Sequence, residues 1–191
     1  MEPRPQIPPP AERRRTLRKR VFQFMDHLWS PWRYQYVQKE KTGGGCVFCL
    51  AASSERDDEN LVVHRARKNF IILNLYPYST GHLMVVPYQH VDNLPEASSE
   101  TLEEMMLLVQ ESERHLREIY RPPGFNLGMN LGESAGAGIA EHIHMHVLPR
   151  WPGDTNFMTT VAETRVLPED LSSTWRKLRA AFTGATSTGR D

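Results

Sequence analysis

The chain has 191 residues, 39% of them apolar and 24% charged, with 23 basic side chains offset by 23 acidic ones. That length suits one globular domain with a proper core and is short for two. The longest apolar runs, Phe70 to Leu73 and Leu83 to Val86, are strand-length, far below the ~20 residues of a membrane span. The basic start runs into Val21-Phe22-Gln23-Phe24 and not into the apolar stretch of a secretory signal, so a cytoplasmic protein is expected.

Residues 1–24 carry Arg4, Arg13, Arg14, Arg15, Arg18, Lys19 and Arg20 against Glu2 and Glu12, among five prolines. By composition this is a disordered basic tail. A solvated extension is the favoured reading and nucleic acid is not the expected partner. Met25 opens the compact region and is a candidate start. The aromatic segment Trp29-Ser30-Pro31-Trp32-Arg33-Tyr34 is expected to pack on the domain. Gly43-Gly44-Gly45 then leads into a tight Cys46-x-x-Cys49 knuckle, followed by a polar loop over residues 53–60. Strands are predicted at Leu61 to His64, Asn69 to Leu75 and His82 to Pro87, with a turn at Pro77 to Gly81.

Residues 99–120 form the clearest helix. Leu102, Met105, Met106, Val109, Leu116 and Ile119 recur at three- and four-residue spacing as its core stripe, with His115 on the polar side. Arg121-Pro122-Pro123-Gly124 ends it. Strands resume at Phe125 to Leu131, at residues 142–148 and at Phe157 to Val166. A last amphipathic helix starts at Pro168, with Leu171, Trp175, Leu178 and Phe182 on one stripe; residues 184–191 look frayed. The order predicts an α+β fold with a mainly antiparallel sheet, one long helix and a C-terminal helix. The expected boundaries are a tail at 1–24, a domain with an N-terminal metal knuckle at 25–166, and the C-terminal helix with its frayed end at 167–191.

Cys46-x-x-Cys49 has three readings. A disulfide is disfavoured in a reducing compartment. A thioredoxin-type pair would start a helix after a strand, which the triple-glycine lead-in does not suggest. Half of a tetrahedral zinc site needs two more donors, and with no further cysteine these must be histidines. His27, His64, His82, His90, His115 and one histidine of residues 142–146 are the candidates, His27 and His115 being the weaker.

Residues 142–148 read His-Ile-His-Met-His-Val-Leu. On a strand, His142, His144 and His146 share one face and the apolar residues the other. With roughly 13 Å between the outer two, all three cannot converge on one ion without strain. Divided labour follows: an end histidine anchored, the middle one free to react. Directly before the row, Gly132-Glu133-Ser134-Ala135-Gly136-Ala137-Gly138 offers a run of small residues whose backbone N–H groups can cradle an anion. Imidazoles and amides around one cleft suit a phosphate ester. An imidazole nitrogen can attack phosphorus and split one displacement into two, provided its other nitrogen holds the tautomer.

The row resembles the signature of the histidine triad (HIT) superfamily of nucleotide hydrolases and transferases. Residues 69–90 are similar to that family's first strands and residues 130–136 to its phosphate loop. Trp29 to Arg33 and Pro149 to Met158 resemble the bacterial branch that cleaves diadenosine tetraphosphate (Ap4A). The resemblance implies a HIT fold, with a mainly antiparallel five-stranded sheet, and a homodimer. It implies that His144 is the nucleophile forming a nucleotidyl-histidine, that His146 contacts the α-phosphate and assists the leaving group, and that His82 stands behind them. Asn74 falls where the family binds ribose hydroxyls; Asn130 and the backbone of Gly136, Ala137 and Gly138 would hold phosphate oxygens. Zinc-containing members imply a structural Zn²⁺ on Cys46, Cys49, His90 and His142, and a cation such as Mg²⁺ could accompany the polyphosphate. Where relatives carry Gln or Ser before the triad, this chain has Ala137 and Gly138, which leaves water or inorganic phosphate open as acceptor. The basic tail has no counterpart in the family pattern. The reading is a nucleotidyl hydrolase or transferase acting on a dinucleoside polyphosphate or related adenylyl compound. Its rivals are a nucleotide-binding regulatory protein with little turnover, a hydrolase with catalytic zinc on the triad, and a nucleic-acid binder acting through the tail.

Overall fold

The computed structural model describes residues 45–154 and 168–184. The basic tail, the Trp29 segment, the strand expected at 157–166 and the frayed end past Gly184 lie outside them.

Five strands form one antiparallel sheet in the order β1-β2-β3-β5-β4: β1 Val62–Arg65, β2 Asn69–Leu73, β3 Leu83–Pro87, β4 Gly124–Gly128 and β5 Met145–Arg150. Period-two alternation divides the apolar residues of the central strands between the two faces. Val63, Ile71, Leu73, Leu83, Val85 and Val147 face one core. That core is closed by the long helix α2 (Ser99–Tyr120) and the C-terminal helix α3 (Leu171–Thr183). Val62, Phe70, Ile72, Met84 and Val86 face the other side, where the short helix α1 (Val47–Ser53) lays Phe48 and Ala51 against them. The expected α+β architecture is therefore observed.

The differences from expectation have local causes. The segment after Cys46 is a helix, where a knuckle and loop were expected. Its C-terminal end is held by Arg65, whose guanidinium donates to the carbonyls of Ala51, Ala52 and Ser54 at 2.7–2.9 Å and to Asp57. A helix end with its orphan carbonyls thus satisfied is stable despite its seven residues. β2 stops at Leu73 because the Asn74 side chain accepts the Tyr76 N–H and closes a turn. α3 starts at Leu171, not Pro168, because Asp170 caps it by accepting from Ser173 N–H. On α2, Met106 is 53% exposed: one residue past Met105, it is rotated about 100° off the buried stripe. His115, placed on the polar side by sequence, is buried, because α3 covers it with the Phe182 ring at 4.6 Å.

At Gly81 the turn before His82 packs against Leu116 and Tyr120 of α2. The φ of Gly81 is +77°, and a Cβ there would stand 2.7 Å from Leu116 Cδ2. Only glycine lets α2 lie over the turn that leads into His82. No helix among the described residues is long and apolar enough to cross a membrane.

Candidate active site

β5 begins at Met145, so only His146 of the three histidines lies within a strand. Its cross-strand neighbours are Met84 on β3 and Gly128 on β4. His142 and His144 precede the strand, tied in by the Ile143 N–H bond to Val91 O at 2.8 Å. The expected single strand face is corrected for His142 and His144, which precede β5; like Ile143 they are buried, at 0% and 4% exposure. They can be buried because backbone carbonyls satisfy them.

Those backbone partners assign the tautomers. The Pro87 carbonyl, 2.9 Å from His142 Nε2, can only accept, so Nε2 carries the proton and Nδ1 keeps its lone pair. The His142 carbonyl lies 2.8 Å from His144 Nδ1, so in His144 the lone pair sits on Nε2. Burial pushes both imidazoles below the ordinary histidine value, which those carbonyl bonds partly offset, and so favours the neutral ring. For the third histidine the chain starts at a donor. Tyr78 N–H donates to His82 Nδ1 at 3.2 Å, so a neutral His82 carries its proton on Nε2. That proton goes to His146 Nδ1 at 2.9 Å, leaving His146 with an N–H on Nε2. A lone pair on His144 and a donor on His146 thus stand side by side, with ring centroids 4.9 Å apart.

The donor atoms of Cys46, Cys49, His90 and His142 lie within 4.8 Å of one another. The Cys46 sulfur is 3.3 Å from His142 Nδ1, and the Cys49 sulfur is 3.3 Å from His90 Nδ1 and 3.7 Å from His142 Nδ1. A tetrahedral zinc with its usual bond lengths needs sulfur–nitrogen separations of about 3.6 Å. The residues therefore fit such an ion. Both cysteines are free, and the pair does start a helix, the context that sequence had not suggested; what decides its chemistry is the two histidines facing it. Among the described residues this is the only group of three or more His, Cys, Asp or Glu side chains placed to hold a metal ion, and His144 and His146 are not in it.

Phe48, between the cysteines, packs edge-on against His142 at 5.4 Å and on His144 at 5.0 Å. It also lines a cavity of about 280 Å³ shared by Asn74, Asn130, Gly138, His144 and His146. Gly136 and Ala137 are not in that wall. Their N–H groups are used within the turn, by Glu133 O at 2.8 Å and Gly132 O at 3.2 Å, and Asn130 Nδ2 reaches Gly136 O at 3.4 Å. Sequence reading passed over Phe48, Asn60, Leu61 and Tyr78 as contributors to this cavity. Phe48 carried the one usable signal, an aromatic residue enclosed by the CxxC pair.

Comparison with known proteins agrees with this geometry. The pattern of the family described as "HIT domain" matches residues 55–153. The chain belongs to the HIT family. A relative from Mycobacterium tuberculosis named AP-4-A phosphorylase is 40% identical over 161 residues, covering 81% of this chain and 83% of that one. Among solved structures, a Zn-bound histidine triad family protein from Mycobacterium smegmatis superposes with a TM-score of 0.59 at 30% identity, covering 76% of this chain and 98% of the other. A hypothetical histidine triad nucleotide-binding protein from Sulfolobus tokodaii gives 0.56 at 25% identity, covering 76% and 100%.

Proposed function

We propose that this HIT-family chain is a nucleotidyl hydrolase or transferase that cleaves Ap4A or a similar adenylyl compound through a covalent intermediate on His144. The observation that carries the reading is the paired tautomers: a lone pair on His144 Nε2 beside an N–H on His146 Nε2, both at one cavity. The AP-4-A phosphorylase relative supports the substrate class.

In the first step the His144 Nε2 lone pair forms a bond to the α-phosphorus, and the bond from that phosphorus to the bridging oxygen breaks. The electron pair leaves with the remaining nucleotide. With a second phosphate pKa near 6, that nucleotide departs as an anion, so His146 need only donate a hydrogen bond to the oxygen on which charge develops. In the second step an oxygen of water or inorganic phosphate attacks phosphorus and the P–N bond breaks, returning the lone pair to Nε2. Asn74 would hold the ribose, and Asn130 with Gly138 the phosphate oxygens. Gly136 and Ala137, whose N–H groups bond within the turn, would shape that loop.

Cys46, Cys49, His90 and His142 would hold a structural Zn²⁺, whose part is to pin the start of α1 to the segment before β5. A catalytic zinc on the triad is disfavoured because only His142 of the three joins the donor group. Among the described residues no second group gathers for a cation, so Mg²⁺ has no assigned place on the protein. A homodimer in the cytoplasm, and a domain spanning 25–166 between a basic tail and the C-terminal helix, complete the proposal.

The test is to incubate the protein with Ap4A with and without inorganic phosphate. AMP plus ATP is expected from water and ADP plus ATP from phosphate. Two ADP would mean attack at a β-phosphorus and would refute the mechanism, as would failure to trap a nucleotidyl-protein adduct on rapid quench in alkaline denaturant, where a P–N bond to histidine survives.

A further inference from the structure

The turn over residues 57–61 forms part of the cavity wall that the chemistry above does not use. Leu61 sits there with φ +59°, in the left-handed region that a branched side chain disfavours. Its carbonyl accepts from Leu73 N–H at 3.0 Å, placing the turn beside the residue that precedes Asn74. A nucleotide with phosphate at His144 and ribose at Asn74 would direct its base along this wall, between Leu61 and the α1 residues Val47 and Phe48.

Asn60 is the amide on that wall. Its nitrogen is committed, donating to the Arg56 carbonyl at 2.7 Å and to Ser54 Oγ at 3.0 Å. Because the Arg56 carbonyl can only accept, the amide cannot be turned the other way. The remaining polar atom of the side chain, Oδ1, is therefore fixed as an acceptor. Its neighbour Glu59, also on the wall, has a largely exposed carboxylate 2.8 Å from Arg56 Nη1. Asn60 thus brings to this end of the cavity one amide oxygen whose role as acceptor is set.

We propose that Asn60 determines base specificity by accepting a hydrogen bond from the exocyclic amino group of the base, so that the site favours a 6-amino purine over one that lacks that donor. The inference rests on the nucleotide reading above and adds to it the residue that reads the base. A purine without the amino group would leave Oδ1 unsatisfied, and one with a carbonyl there would set two acceptors against each other.

The experiment measures binding, by calorimetry on the full chain, of three probes: AMP, purine riboside 5′-monophosphate and IMP. AMP is expected to bind roughly fivefold to tenfold more tightly than purine riboside monophosphate, the worth of one half-exposed hydrogen bond, with IMP no better than the latter. In Asn60→Leu that ratio is expected to fall to about one through loss of AMP affinity, with purine riboside monophosphate little changed. Equal binding of AMP and purine riboside monophosphate to the wild type would overturn this inference alone. A ratio that survives in Asn60→Leu would overturn it too, whatever the variant does to the turn. No binding of any probe would overturn the nucleotide reading itself.

Discussion

The rings of Phe48 and His144 meet at 5.0 Å, so one side chain of the CxxC helix rests on the imidazole proposed to attack phosphorus. Phe48 stands between two members of the metal-binding group, and so the state of that group bears on the cavity wall. The double variant Cys46→Ser/Cys49→Ser is expected to lose bound zinc, to speed amide exchange in α1, and to weaken AMP binding about tenfold, ~1.4 kcal/mol. Metal analysis, hydrogen exchange and calorimetry check the three parts; unchanged exchange and binding in the metal-free protein would break the link.

His144→Ala is expected to lower kcat on Ap4A by about 10⁴ or more and to abolish the alkali-stable, acid-labile adduct, because a covalent nucleophile has no substitute. His144 is not one of the four proposed zinc ligands, so zinc content should persist in the folded variant. Near-normal turnover in this variant is the result that would end the proposal.

In the proposed mechanism His82 would act through His146 as a positioning residue, its Nε2 lying 2.9 Å from His146 Nδ1. His82→Ala should cost about 10–100-fold in kcat with KM little altered, since the tautomer of His146 is no longer held. His82→Gln, which can accept from Tyr78 N–H and donate onward, should recover part of the loss. Equal damage from both variants would point to packing alone.

Glu104 Oε2 accepts from Lys68 N–H, Asn69 N–H and Asn69 Nδ2 at 2.7–2.9 Å, tying α2 to the start of β2. Burial raises this carboxyl, but those hydrogen bonds outweigh it and hold it below the ordinary value. The folded state therefore binds the proton less readily than the unfolded one. Stability from this group is complete above the unfolded value near 4.3 and is lost as pH falls toward the depressed folded value. Glu104→Gln should cost ~1–3 kcal/mol at pH 7, and urea titrations should show the gap to wild type narrowing below about pH 4. A gap independent of pH would contradict the account.

Gly81→Ala puts a Cβ at 2.7 Å from Leu116 Cδ2 in a residue with φ +77°. The two effects together should destabilise by about 2–4 kcal/mol. Calorimetric unfolding should show a Tm lower by several degrees, with turnover falling only as folding does.

Much of this molecule was legible along the chain because its signals are local. Short continuous apolar runs marked the central strands, a 3.6-residue stripe marked α2, and the alternation at 142–148 with CxxC at 46–49 named the residues that gather at the site. Those residues act through side chains whose types alone restrict the chemistry. What the tertiary structure decided depends on partners distant in sequence. Arg65 stabilises a helix after Cys46 from 11 to 14 residues away; α3 buries His115; Pro87 and His142 carbonyls choose which imidazole nitrogen keeps its lone pair. A histidine's letter does not say which nitrogen holds the proton, because that choice belongs to the carbonyl or amide folded against it.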